Sequence, residues 1–252
     1  CLIEDCISLA GGKPGGIYLA EGSLFDTIVR DCRGDVGGVL IEDGNMFNAD
    51  ISNNEGETAG GCLMVTGEIF NTNISNNEAN VFGAGLLINT VNMSGCTVQN
   101  NHANAIGGLL IENTTGIPAS FTNNTIVENT NTQGVDIDLG VESFLNLDWN
   151  NTIGHLEMVD GANRLIIESF GNTIQESLII SGGTDLQIDV GYSVNWDQPK
   201  LIVEDSLVQN SGTLIISDEQ QSLDGIVEGE SVLLASGNTV DLNYDAVIVP
   251  FM

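Results

Sequence analysis

The sequence predicts an all-β chain wound as a parallel β-solenoid, and three observations carry that expectation. First, a glycine phrase recurs: marking it by Gly16, Gly38, Gly61, Gly85 and Gly108, the steps are 22, 23, 24 and 23 residues. Second, a phrase of the type Ile-Ser-Asn-Asn keeps a similar step, beginning at Ile3, Val29, Ile51, Ile74, Val98 and Ile126. Third, the units hold short apolar alternations bounded by Gly, Asn and Asp, with no 3.6-residue stripe, which excludes the helical repeats. The leucine-rich repeat pattern is missing as well.

A period of 22–24 residues suits one solenoid coil of three short strands and three turns, stacked on the next coil at the ~4.8 Å strand spacing. Within the second phrase the third residue reads Asp5, Asp31, Asn53, Asn76, Asn100 and Glu128, a column suited to the left-handed conformation of a sharp corner. The fourth reads Cys6, Cys32, Asn54, Asn77, Asn101 and Asn129. Stacked asparagines can bond to one another from coil to coil, so this column is expected to be a structural ladder. The same register places Cys6 over Cys32 with their Cα atoms ~5 Å apart, which suits either a disulfide or two small buried side chains.

The glycine phrases (GGIY, GGVL, GGCL, GGLL) and the Phe-x-x-Asn phrases (FNTN at 70–73, FTNN at 121–124) resemble the repeats of polymorphic outer membrane proteins. More broadly, they resemble the right-handed parallel β-helices of the pectate-lyase-like superfold. The resemblance covers residues 1–135 and implies the architecture; that superfold hosts adhesins, autotransporter passengers, tailspikes, lyases and hydrolases. The pattern is broken at FNAD (47–50) and at Ser94, where Phe is expected, and the insertion TTGIPA (114–119) lengthens a coil.

Two regions follow: regular coils over 1–135, and a less regular β-rich continuation or cap over 136–252. In the second, the glycine and asparagine phrases fade. RLIIESFGNTIQESLIIS and KLIVEDSLVQNSGTLIIS, 36 residues apart, read as two copies of one longer unit.

Charge narrows the function. The chain of 252 residues has 35 Asp plus Glu against 5 Lys plus Arg, a formal net charge of −30. Such a surface repels phosphate backbones and anionic headgroups, so no nucleic-acid partner is expected. No apolar run is long enough to cross a bilayer as a helix. The opening at Cys1, without a start Met or signal region, reads as a portion of a longer or processed protein.

Chemistry-bearing constellations are sparse. The five cysteines have no metal-ligand spacing, and His102 and His155 stand apart from any nucleophile signature. The candidate metal site is Asp136 and Asp138 in DID, two carboxylates ~7 Å apart on one strand face, with Ca²⁺ as the cation they suit. Five scattered cations cannot line a basic groove, which argues against a polyanion lyase. Trp149 and Trp196, flanked by Asn and Asp, carry a faint carbohydrate signal.

The expected function is therefore non-enzymatic: an extracellular or cell-surface acidic β-helix, serving as an adhesin stalk or a self-assembling filament or sheath subunit. Its partners would be further copies of itself or surface glycans. The alternative is a carbohydrate-active enzyme, a glycosidase or lyase, on the same scaffold, using an acid pair in the irregular second half; it needs carboxylates 5–10 Å apart in a concave groove with aromatic rings beside them.

Overall fold

The computed structural model describes residues 1–9, 11–113, 115–130, 135–140, 143–158, 163–167, 171–180, 185–189 and 201–203. Beyond these it describes the backbone of strands at 206–209, 213–217, 235–236, 239–242 and 246–248. Among the described residues there is no helix, and every strand pairing is parallel. The chain is a β-solenoid whose coils lie about 23 residues apart.

Three long sheets run along the axis. Sheet I has ten strands, from Leu2–Glu4 through Ile28–Arg30, Asp50–Ser52 and Asn73–Ser75 to Leu201–Val203 and Ala235–Ser236. Sheets III and IV share the nine-residue strands Ile17–Phe25, Val39–Phe47 and Cys62–Phe70. Later coils split these into separate strands, such as Gly85–Ile88 with Val91–Ser94. A fourth sheet, sheet II, is short: Arg33–Val36, Glu55–Ala59, Glu78–Ala79 and His102–Ala103. The early coils thus have four sides where the spacing suggested three, and the later coils have three.

The interior is built of in-register columns. Val29, Ile51, Ile74, Val98, Ile126, Ile153 and Ile174 stack behind sheet I, all fully buried. Met46, Ile69, Met93, Phe121 and Leu147 do the same behind sheet IV. Each such side chain contributes about 1.5–3 kcal/mol relative to exposure. Because the columns run from coil to coil, no coil buries its own apolar side alone, and stability depends on stacking.

The corners follow the predicted chemistry. Asp5, Asp31, Asn53, Asn76, Asn100 and Glu128 all have positive φ, between 55° and 58°. A second left-handed column occupies the corner after sheet IV: Asp26, Asn48, Asn71, Gly95, Asn123, Asn150 and Gly171. Between sheets III and IV, Gly67 has φ +135, and a Cβ there would fall on the Gly44 carbonyl oxygen. At the entry to sheet III, a Cβ on Gly61 would fall on the Ala84 carbonyl oxygen and the Ile74 side chain. Ala84, not Gly85, is the register partner of Gly61, since Cys62 pairs with Gly85.

The 36-residue echo is not a structural period. Its first copy covers Arg164–Ile167 in sheet IV, Asn172–Ile174 in sheet I and Ser177–Ile180 in sheet III. Its second copy begins at Leu201–Val203 in sheet I, so the two copies are rotated by one side of the coil. Every side demands the same alternation of buried and exposed residues, so similar strand phrases can fall on different sides.

Candidate functional site

Three places in the described residues could carry chemistry: the corner that holds Asp136, the outer groove of sheet II, and the outer face of sheet IV.

The first is the end of the predicted ladder. Asn54 Oδ1 accepts from Cys32 N at 3.0 Å, and Asn77 Oδ1 accepts from Asn54 N and Nδ2, both at 3.0 Å. Asn101 and Asn129 repeat the pattern. Each Nδ2 also donates back to the carbonyl of a preceding coil: Asn54 to Val29, Asn77 to Ile51 and Asn101 to Ile74. Asp136 closes the series. Its Oδ1 accepts from Asn129 N at 2.9 Å and Nδ2 at 2.7 Å, and its Oδ2 accepts from His155 N at 2.9 Å.

An acceptor-only side chain is what this position needs, because it receives N–H groups from both directions. Gly154 makes the space, since a Cβ there would collide with Asp136 Oδ2. Burial pushes the Asp136 carboxyl up to about 6, against the opposing pull of its three N–H donors, with nearby Glu176 adding to the rise. Asp138 lies on the strand Ile137–Leu139, between two buried neighbours and in register with Leu110 and Glu157. The cation pair suggested by the D-x-D spacing is thus divided: Asp136 turns inward to the ladder, and Asp138 belongs to the strand. Among the described residues, no group of three or more His, Cys, Asp or Glu is placed to hold a metal ion.

His155 is buried beside this corner. Its Nδ1 lies 3.0 Å from Ser177 Oγ, and its Nε2 is enclosed without a hydrogen-bond partner. Burial lowers its pKa, partly offset by Glu157 and Glu176. Asp136 bonds the backbone of His155 and not its ring, so the three residues do not form an orienting relay of the kind a hydrolytic serine requires.

The second place is a hollow of about 400 Å³ along sheet II. Arg33, Glu55, Glu78 and His102 follow one another there in register, coil by coil. Asp35, Glu57, Asn80 and Asn104 also line it. Adjacent carboxylates in such a column start from Cα atoms ~4.8 Å apart. Arg33 is bonded to Glu55, Thr58 Oγ1 donates to Asp35 at 2.9 Å, and His102 Nδ1 lies 3.0 Å from Thr130 Oγ1. Among the described residues, no Phe, Tyr or Trp lines this groove. Arg30 pairs with Glu4 at 2.7 Å, so it too bonds to an acid on a neighbouring coil.

Cys6 and Cys32 stack in register between the paired positions Glu4 with Arg30 and Ile7 with Arg33. Both are free thiols, and they stand where the asparagines begin. Burial pushes the Cys62 thiol to about 12 and the Cys96 thiol to about 11, so neither acts as a nucleophile near neutral pH. Trp149 is exposed at a corner, while Trp196 lies outside the described residues.

A second ladder escaped the sequence reading. Cys96 N donates to Asn124 Oδ1, Asn124 to Asn151, and Asn151 to Asn172, at 2.9–3.2 Å. A third begins where Asn113 N donates to Ser143 Oγ and Ser143 N to Asn163 Oδ1. The signal for the second was present as NNTI, NNTI and GNTI from residues 123, 150 and 171, so an asparagine phrase at another corner, already begun at Asn123, carries on past residue 133 and does not fade.

The third place, on the outer face of sheet IV, is a column of exposed Phe25, half-buried Phe47 and exposed Phe70, and the hollow that follows it. No protein-family model, no curated protein and no solved structure matches the chain. Among the described residues, no helix is long and apolar enough to cross a membrane.

Proposed function

We propose that this chain is a coil segment of an extracellular surface protein, a rigid acidic stalk that displays its outer columns and carries out no catalysis. The supporting observation is the use made of its buried polar side chains. Asn54, Asn77, Asn101, Asn129, Asn124, Asn151 and Asn172 all bond across coils, and Asp136, the most buried carboxylate among the described residues, terminates one of their ladders. The resemblance of residues 1–135 to polymorphic outer membrane protein repeats, on a right-handed pectate-lyase-like helix, supports a surface location. At the first coil, Ile3, Cys6, Ile17 and Leu19 are only partly buried against the core. A further coil can stack on that face, whether from the same chain or from a second copy.

The alternative, a carbohydrate-active enzyme, draws on the in-register carboxylates of the sheet II groove; that no Phe, Tyr or Trp lines it among the described residues weighs against it. Two measurements on the purified chain separate the readings. Negative-stain electron microscopy across a dilution series should show rods ~20–30 Å wide, either single or stacked into fibres. Incubation with a polysaccharide panel should release neither reducing ends nor unsaturated products. Turnover of any glycan that disappears in Glu55→Gln or Glu78→Gln would overturn the stalk reading in favour of the enzyme.

A further inference from the structure

The Phe-x-x-Asn phrase breaks at Ser94, and the break has a shape. On the outer face of sheet IV, Phe25, Phe47 and Phe70 follow in register and are succeeded by Ser94 and Thr122. The rings of Phe25 and Phe47 stack with centroids 4.9 Å apart, and Phe70 follows at 6.4 Å. A second outward column, two residues earlier and therefore ~7 Å away, contains Glu68 and Asn92 in register. Ser120 comes next, its backbone N–H donating to Asn92 Oδ1 at 2.9 Å. Where the aromatic column stops, a hollow of about 180 Å³ opens between the two columns, walled by Phe70. That is roughly six water volumes, the scale of a single sugar ring.

We propose that this hollow binds one neutral hexopyranose unit of a glycan, with Phe70 as its platform. A pyranose has an apolar C–H face and a rim of hydroxyls. Phe70, 42% exposed, offers a ring for the first. The Glu68 carboxylate, the Asn92 amide and the hydroxyls of Ser94, Ser120 and Thr122 offer acceptors and donors for the second. Asn92 is fixed through its carbonyl oxygen by Ser120, which leaves its NH₂ to donate.

Charge selects among glycans. Glu68 is the one charged residue among the described residues of the lining, on a chain of net charge −30, so uronate and sulfated polymers are repelled while a neutral sugar is not. The site deepens the surface-protein reading, on which its glycan partner rests.

Ser94→Phe is the informative variant. It extends the phenylalanine column by one ring, as the repeat pattern itself would, and fills the hollow. The ¹⁵N-labelled chain would be titrated with neutral tetrasaccharides of glucose, galactose, mannose and N-acetylglucosamine, and with tetragalacturonate. At least one neutral tetrasaccharide should shift the amides at 68–70, 92–94 and 120–122 with a millimolar Kd. Ser94→Phe and Phe70→Ala should each weaken it at least about tenfold, with the urea midpoint of Ser94→Phe no lower than that of the parent. Tetragalacturonate should not bind. No neutral binding at about 20 mM, undiminished binding in folded Ser94→Phe, or preference for tetragalacturonate would each overturn the proposal. Single rods without sugar binding would remove this site and leave the stalk reading standing; sugar binding at these amides together with glycan turnover lost in Glu55→Gln or Glu78→Gln would overturn the stalk reading and leave this site standing.

Discussion

Replacing Asn77 by alanine is expected to destabilise the coil by about 2–6 kcal/mol, among the largest effects of any single polar substitution in the described residues. Asn77 Oδ1 accepts from both Asn54 N and Asn54 Nδ2, and its Nδ2 donates to Ile51 O and Asn101 Oδ1. Alanine removes four bonds at once. It leaves the Asn54 N–H without a partner, and leaves the Asn54 NH₂ with only its bond to the Val29 carbonyl, in a corner that water does not reach. Each such orphan costs about 1–3 kcal/mol, against total stabilities of about 5–15 kcal/mol for ordinary domains. Asn73, on the same coil but half-buried, bonds only to Asp50 and Ser75, so Asn73→Ala should cost about 1 kcal/mol or less. Urea midpoints of the two variants supply the comparison. Equal small shifts would mean that the ladder is decoration on a coil held by its apolar columns alone.

The second large effect is a pH dependence centred on Asp136. Its carboxyl is raised from 3.8 to about 6, with burial the main cause. Between those values the folded chain holds a proton that the unfolded chain has released. This group's contribution is therefore fully present below about pH 4 and is lost as pH rises through about 6. Two pKa units correspond to roughly 3 kcal/mol. With 35 acids titrating in the chain, the contribution is isolated by difference. The stability of the parent minus that of Asp136→Asn should fall by about that amount from pH 4 to pH 7. A flat difference would mean that the three N–H donors hold the carboxylate ionised throughout. The asparagine variant should also be less stable at pH 4, because its NH₂ would face the His155 N–H, where an oxygen of the protonated carboxyl can still accept.

Most of the scaffold was legible in the sequence because solenoid coils write their register directly. The left-handed corner at Asn53, Asn76 and Asn100 and the bonded Asn54, Asn77 and Asn101 follow from residue chemistry plus a constant step. The fourth side was less legible. Glu78–Ala79 and His102–Ala103 are two-residue strands, too short to carry a period-2 pattern. The second ladder was hidden because it starts at Cys96 and then passes through phrases that break the 22–24-residue step. The role of Asp136 could not be read from DID, since spacing alone does not say that Gly154 and the His155 N–H converge on it from the next coil. At Ser94 the departure from the motif was visible, but the hollow it leaves required the positions of Glu68, Asn92 and Ser120 on neighbouring coils.

The most direct measurement is hydrogen exchange of the asparagine side-chain amides by NMR. If the coils are interlocked from within, the NH₂ groups of Asn54, Asn77, Asn101, Asn129, Asn124, Asn151 and Asn172 will be protected alongside the backbone of sheet I. Those of exposed Asn80 and Asn104 will exchange at once. Rapid exchange of every asparagine side chain, with the backbone still protected, would contradict the ladders and with them the structural role assigned to the repeated phrase.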